Sequence, residues 1–202
     1  MTSVMSFLKR GHMETKILLI RHAESIYVNG QELGRPLSEK GMLDANQLAF
    51  KLKDSNIDFL YSSDYKRAVQ TVEPLAKTLG LEVQTSECLR ERKLKANYIN
   101  LEYDDFIEAV RLSFDDVNYA LEGGESVSDA HSRVIPFIEN LLNIHHGKTI
   151  AIGSHGNIMT MILKYYDPSY GFDFWSKLKM PDVYLLVFNE KRLKHVERIS
   201  YD

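Results

Sequence analysis

Residues 16–25 read K-I-L-L-I-R-H-A-E-S, an apolar run that stops on two adjacent cationic groups and a carboxylate. Four consecutive Ile and Leu residues suit a strand covered on both faces, as inside a parallel sheet. Ending such a strand on Arg21 and His22 is costly unless each group is paired or put to use. It is either a solvated strand end or the floor of a site that takes an anion. What the rest of the chain brings beside it decides which.

Working outward, apolar runs alternate with helical stripes. Pro36, Leu37 and Ser38 mark a helix start with Ser38 as N-cap, followed by Ala45, Leu48, Ala49 and Leu52 at helical spacing. Residues 58–62 (DFLYS) form a second strand candidate. Ala68, Val72, Leu75, Ala76 and Leu79 then share a helical face that ends at Gly80. Residues 81–85 read as a third strand, and residues 100–121 as an acidic, aromatic and helical stretch. Val127, Ala130, Val134, Phe137, Ile138 and Leu141 make another stripe. Residues 148–153 (KTIAIG) give a fourth strand, followed by a helix over 157–166. Residues 183–188 and 193–199 flank N-E-K-R at 189–192 as a hairpin. The fold class is therefore α/β: a three-layer sandwich with a mainly parallel sheet, an antiparallel edge strand and helices on both faces. Open sheets of this kind bind ligands beyond the carboxyl ends of their strands, which is where Arg21 and His22 fall.

The 202 residues carry a formal net charge of -3, so nothing in the overall balance suggests nucleic acid or a membrane surface as partner. The single cysteine, Cys88, excludes an internal disulfide framework. No apolar run approaches the ~20 residues that span a bilayer. A cytoplasmic protein is expected. Residues 1–15 are read as a flexible extension or an expression remnant, ahead of a domain over 16–202.

Three more strand ends carry chemistry. S-S-D-Y-K-R-A-V-Q-T at 62–71 presents Arg67, L-R-E-R at 89–92 presents Glu91, and S-H-G-N at 154–157 presents His155 and Asn157. Arginine forks grip a dianion, and helix N-termini add N–H groups and a favourable dipole. A neutral imidazole can attack phosphorus, and a carboxyl group can protonate the departing oxygen. Glu91, flanked by Arg90 and Arg92, also reads as part of a solvated charge run.

With R-H-A-E-S at 21–25 and G-G-E-S at 123–126, these motifs resemble, in order, the histidine phosphatase superfamily, the phosphoglycerate-mutase-like clan named for its R-H-G motif. The resemblance implies a nucleophile at His22, phosphoryl contacts from Arg21, Arg67, His155 and Asn157, and a general acid at Glu91, with His155 also serving catalysis. It implies no metal or other cofactor. The activity implied is phosphomonoester hydrolysis on a small phosphorylated molecule through phosphohistidine, of the histidine acid phosphatase type. A phosphoglycerate-mutase-type phosphotransferase and a catalytically weak phospho-ligand binding protein are the alternatives.

The chain departs from the family pattern in four places. Ala23 replaces the usual glycine, harmlessly unless that backbone needs a positive φ. Tyr27 and Val28 stand where a Trp-Asn pair is common, with Asn29 one place later. The loop over 28–35 is shorter than in the mutases, and the G-x-x-E-G signature after the acid is absent. The last two favour hydrolysis. The segment 96–121 is expected to cover the site, and its acids (Glu102, Asp104, Asp105, Glu108, Asp115 and Asp116) would repel polyanions if they faced inward.

Overall fold

The computed structural model describes residues 13–27, 30–95 and 102–200. Strand β1 (Thr15–Arg21) begins one residue before the apolar run, because Thr15 is buried and its Oγ1 accepts from Gly147 N at 3.0 Å. Helix α1 (Glu39–Leu52) starts as expected at Ser38, whose Oγ accepts from Gly41 N at 3.0 Å. Strand β2 (Phe59–Ser63) and helix α2 (Lys66–Leu79) follow, and α2 stops on Gly80 in the left-handed region at φ 68°. Strand β3 (Val83–Ser86) runs into a single 3-10 turn. Helix α3 (Tyr103–Asp115) and helix α4 (Val127–Ile144) come next. The start of α4 is fixed by a reciprocal box in which Ser126 and Asp129 bond each other's backbone N–H. Strand β4 (Thr149–Ser154), helix α5 (Gly156–Tyr166), the short α6 (Phe172–Trp175) and the hairpin β5 (Asp182–Asn189) with β6 (Arg192–Arg198) complete the chain.

The six strands lie in the order β3-β2-β4-β1-β5-β6. The first four are parallel, β5 is antiparallel to β1, and β6 antiparallel to β5. β1 alternates between two cores. Leu18 and Ile20 pack with Leu48, Leu52, Val72 and Leu75 of α1 and α2, while Ile17 and Leu19 pack with the residues of α4 and α5. Each of these four side chains is essentially buried, which stabilises the fold by about 1.5–3 kcal/mol apiece.

That division positions the site. β1 and β4 are neighbours, yet the chain leaves β1 for the α1 face and β4 for the α5 face, opening a crevice between them. Arg21 pairs in register with Ser154, and His22 N donates to Ser154 O at 3.0 Å, so His22 and His155 emerge side by side. α3 and α6 stand beside this crevice, with Phe106 and Trp175 rings 6.1 Å apart. The acids of α3 do not face inward: Glu108 and Asp115 pair with Arg111 on the exposed face, and Asp104 and Asp105 are exposed. Expectations for residues 1–12, for Val28 and Asn29, and for 96–101 lie outside the described residues. Among the described residues no helix is long and apolar enough to cross a membrane.

Candidate active site

Arg21, His22, Arg67, Glu91 and Asn157 all line one cavity of about 750 Å³. His155 lies beneath it, fully buried, its ring edge-on to that of His22 with centroids 5.2 Å apart. The six sequence-predicted residues are thus brought together from the carboxyl ends of four strands and the segments that follow them.

His22 Nδ1 lies 2.7 Å from the carbonyl of Ala23, which can only accept, so Nδ1 carries the proton and Nε2 is left bare. Ala23 N in turn donates to Thr71 Oγ1 at 3.0 Å, and Thr71 Oγ1 donates to Arg67 O, which fastens the turn after the histidine to α2. Among the described non-glycine residues only Asn56 and Glu190 have positive φ, so the alanine at 23 carries no strain. Burial and the adjacent charges of Arg67, Arg21 and Arg35 hold the His22 imidazole well below its ordinary pKa of 6.5. His155 is lowered in the same way, by burial first and then by Arg67. Its Nε2 sits 2.9 Å from Ser63 Oγ.

The arginines are gripped at one end and open at the other. Arg21 Nη1 donates to Leu178 O at 2.8 Å, and its guanidinium packs on Gly156. Arg67, 1% exposed, donates to Glu32 O at 2.8 Å and pairs with the Glu32 carboxylate at 3.1 Å. Arg35 shares that carboxylate at 3.0 Å. Burial lowers the pKa of both Arg21 and Arg67 from the ordinary arginine value. Arg21 Nε, Arg35 Nε, Arg67 Nε and His155 Nδ1 are all buried without a hydrogen-bond partner. Arg21, Arg35 and Arg67 bring three guanidinium groups to the wall of the cavity that His22 shares, a set of charges suited to an oxyanion.

Glu91 is not part of a solvated run. Its oxygens accept from Arg92 N (2.8 Å), Asn157 N (3.1 Å) and Ile158 N (3.2 Å), so it seats on the N-terminus of α5. This uses N–H groups of α5 that the sequence suggested would face the anion. Glu24 bonds Ser38 Oγ at 2.6 Å, and Glu125 holds Lys93 N and Arg133. Among the described residues no cluster of three or more His, Cys, Asp or Glu side chains is arranged to hold a metal ion.

Sequence reasoning missed Arg35, Glu32, Ser63 and Thr71. Arg35 gives no periodic signal, since it precedes Pro36 in a loop whose Ser25–Leu37 bridge fixes its direction. Ser63 and Thr71 lay inside the quoted 62–71 stretch, where the short spacing to Arg67 was their one hint.

Residues 17–198 match the family model of the histidine phosphatase superfamily (branch 1). The chain is 29% identical over 170 residues to phosphoglycerate mutase-like protein 4 of Arabidopsis thaliana, covering 76% of this chain and 72% of that one. It is 29% identical over 154 residues to phosphoserine phosphatase 1 of Hydrogenobacter thermophilus, covering 69% and 70%. Among solved structures, that of a mycobacterial glucosyl-3-phosphoglycerate phosphatase superposes with a TM-score of 0.73 at 20% identity, over 92% of this chain and 97% of that one. At that identity the likeness speaks for the fold.

Proposed function

The chain belongs to the histidine phosphatase superfamily, and from that premise we propose that it hydrolyses phosphomonoesters through a phosphorylated His22. The observation that carries this reading is the 2.7 Å contact of His22 Nδ1 with Ala23 O, which leaves Nε2 as the nucleophile. Nε2 attacks phosphorus in line as the bond to the departing oxygen breaks. Arg21, Arg67 and the newly found Arg35 hold the equatorial oxygens, with Asn157 at the same wall. His155 shares a hydrogen bond between its Nε2 and Ser63 Oγ, which fixes its ring beside that of His22 under the phosphoryl position. The preorganised cations spread the developing charge, usually the largest catalytic contribution. Glu91 gives its proton to the departing alkoxide, then takes one from the water that cleaves the P–N bond.

Hydrolysis rather than mutase-type return of the phosphoryl is favoured by access. Tyr27 and Met180, both on the cavity wall, are 59% and 44% exposed, and a solvent-facing wall supports access of water to His22. Relatives bear both mutase-like and phosphatase names, which makes the discriminating assay direct. An aryl phosphate should be hydrolysed in the presence of a chelator, with acid-labile phosphoprotein trapped on quenching. Both signals should vanish in His22→Ala, a loss of at least about 10³-fold. Full activity in that variant sinks the mechanism. Interconversion of 2- and 3-phosphoglycerate faster than phosphate release makes the chain a mutase, and phosphate binding without turnover makes it a binding protein.

A further inference from the structure

Two unlike sets of side chains line the cavity, and the reaction scheme uses only one. In the first, Arg35 and Arg67 share the Glu32 carboxylate, and Thr71 ties the turn after His22 to α2. The second is apolar and consists of Leu94, Tyr103, Phe106, Ile107, Trp175 and Met180. The Phe106 and Trp175 rings lie 6.1 Å apart, and Trp175 lies 5.6 Å from Phe172, so α3 and α6 present one joined aromatic surface. Leu94, Phe106 and Trp175 are half-buried and pack against the core around α4 and α5. One side of each is therefore held by the core while another lines the cavity.

Tyr27 stands where the two sets meet. It lines the same cavity, and its ring centre lies 5.7 Å from Cζ of Arg35. Single apolar side chains at a surface are ordinary, but several that converge on one cavity mark a binding surface. The volume agrees. About 750 Å³ is far more than a bare phosphoryl group fills, and lies within the range of about 300–1,000 Å³ that takes drug-sized ligands.

We propose that the alcohol of the substrate is an apolar body of about six carbons or more, aryl or alkyl, which lies against this surface of α3 and α6. This rests on the hydrolase reading, which seats the phosphoryl group at His22, but binding alone tests it. Arg92 and Lys95 line the cavity too, so an apolar tail has to be weighed against a charged one. Calorimetry on the wild-type protein would follow methyl-, butyl- and hexylphosphonate. Phenylphosphonate tells a flat ring from a chain, and 5-carboxypentylphosphonate is the charged counterpart of the hexyl probe. Affinity should rise about twofold to threefold per methylene, as partial burial of each one gives. The charged tail should bind at least about tenfold more weakly than hexyl. Trp175 is the single tryptophan of the chain, so its emission should shift with hexyl- and phenylphosphonate and stay still with methylphosphonate. In Phe106→Ala, hexylphosphonate should lose at least about fivefold more affinity than methylphosphonate. Tyr103→Ala, at a position 75% exposed and so tolerant of change, should move the same ratio by about twofold.

Four wild-type results each overturn the proposal: a flat series, no binding, a charged tail held as tightly as the apolar one, or a Trp175 emission unmoved while hexylphosphonate binds. So does a ratio that neither variant changes. A flat series beside hydrolysis of an aryl phosphate removes the apolar site and leaves the hydrolase reading standing. A rising series without turnover of any ester keeps the apolar site and removes the hydrolase reading.

Discussion

At the scale of single residues, the site depends on imidazoles kept neutral among cations. Burial and the arginines lower both His22 and His155 well below 6.5. In the unfolded chain each reverts to its ordinary value and takes up a proton first as the pH falls. The unfolded state then binds more protons, so stability contributed above 6.5 is lost as pH falls from there toward the folded values. The full slope is about 1.4 kcal/mol per pH unit for each histidine. Nitrogen-15 NMR should find His22 as the neutral Nδ1–H form at pH 6.5. Urea titrations should show stability declining between about pH 6.5 and 5. A His22 already protonated at 6.5, or a flat profile, would contradict the geometry.

At the scale of elements, the loops after β1 and β4 meet with little slack. A Cβ on Gly156 would lie 3.1 Å from Arg21 Nε and 3.2 Å from its Cζ, so the guanidinium would have to give by a few tenths of an ångström. Gly156→Ala should therefore lower kcat/KM for an aryl phosphate about tenfold. Its Tm should stay within about 3 °C, since alanine suits the first turn of α5. Steady-state kinetics beside a thermal melt would separate the two effects. The elements themselves were legible because each announces itself locally: the Ile-Leu run of β1, the Ser38 cap, the Gly80 stop, the stripe of α4. So were Arg21, His22, Arg67, Glu91 and His155, which stand where regular patterns break. What stayed hidden depends on which strands are neighbours. Ser63 meets His155 because β4 inserts beside β2, and no local pattern conveys that order. Arg90 and Arg92 look alike in a charged stretch, and only the fold turns one outward to Asp64 and the other into the cavity.

At the scale of the whole molecule, the crevice gathers four buried or half-buried arginines beside the carboxyl groups of Glu32 and Glu91. Any dianion that settles there binds the folded state alone. Inorganic phosphate at about a hundred times its Kd should add about 2.7 kcal/mol to stability, read as a rise in Tm. An unmoved Tm at saturating phosphate would argue against the cage. The strand order has a consequence for synthesis as well. Among the described strands β1 comes first in the chain, yet its two neighbours are β4, which begins at Thr149, and β5, which begins at Asp182. The carbonyl that steadies Arg21 belongs to Leu178, also late in the chain. During translation the I-L-L-I run must therefore wait, unpaired and sticky, until most of the polypeptide has emerged. An apolar run whose strand partners lie far along the chain keeps its edges unpaired longer during folding, the condition in which aggregation competes with pairing.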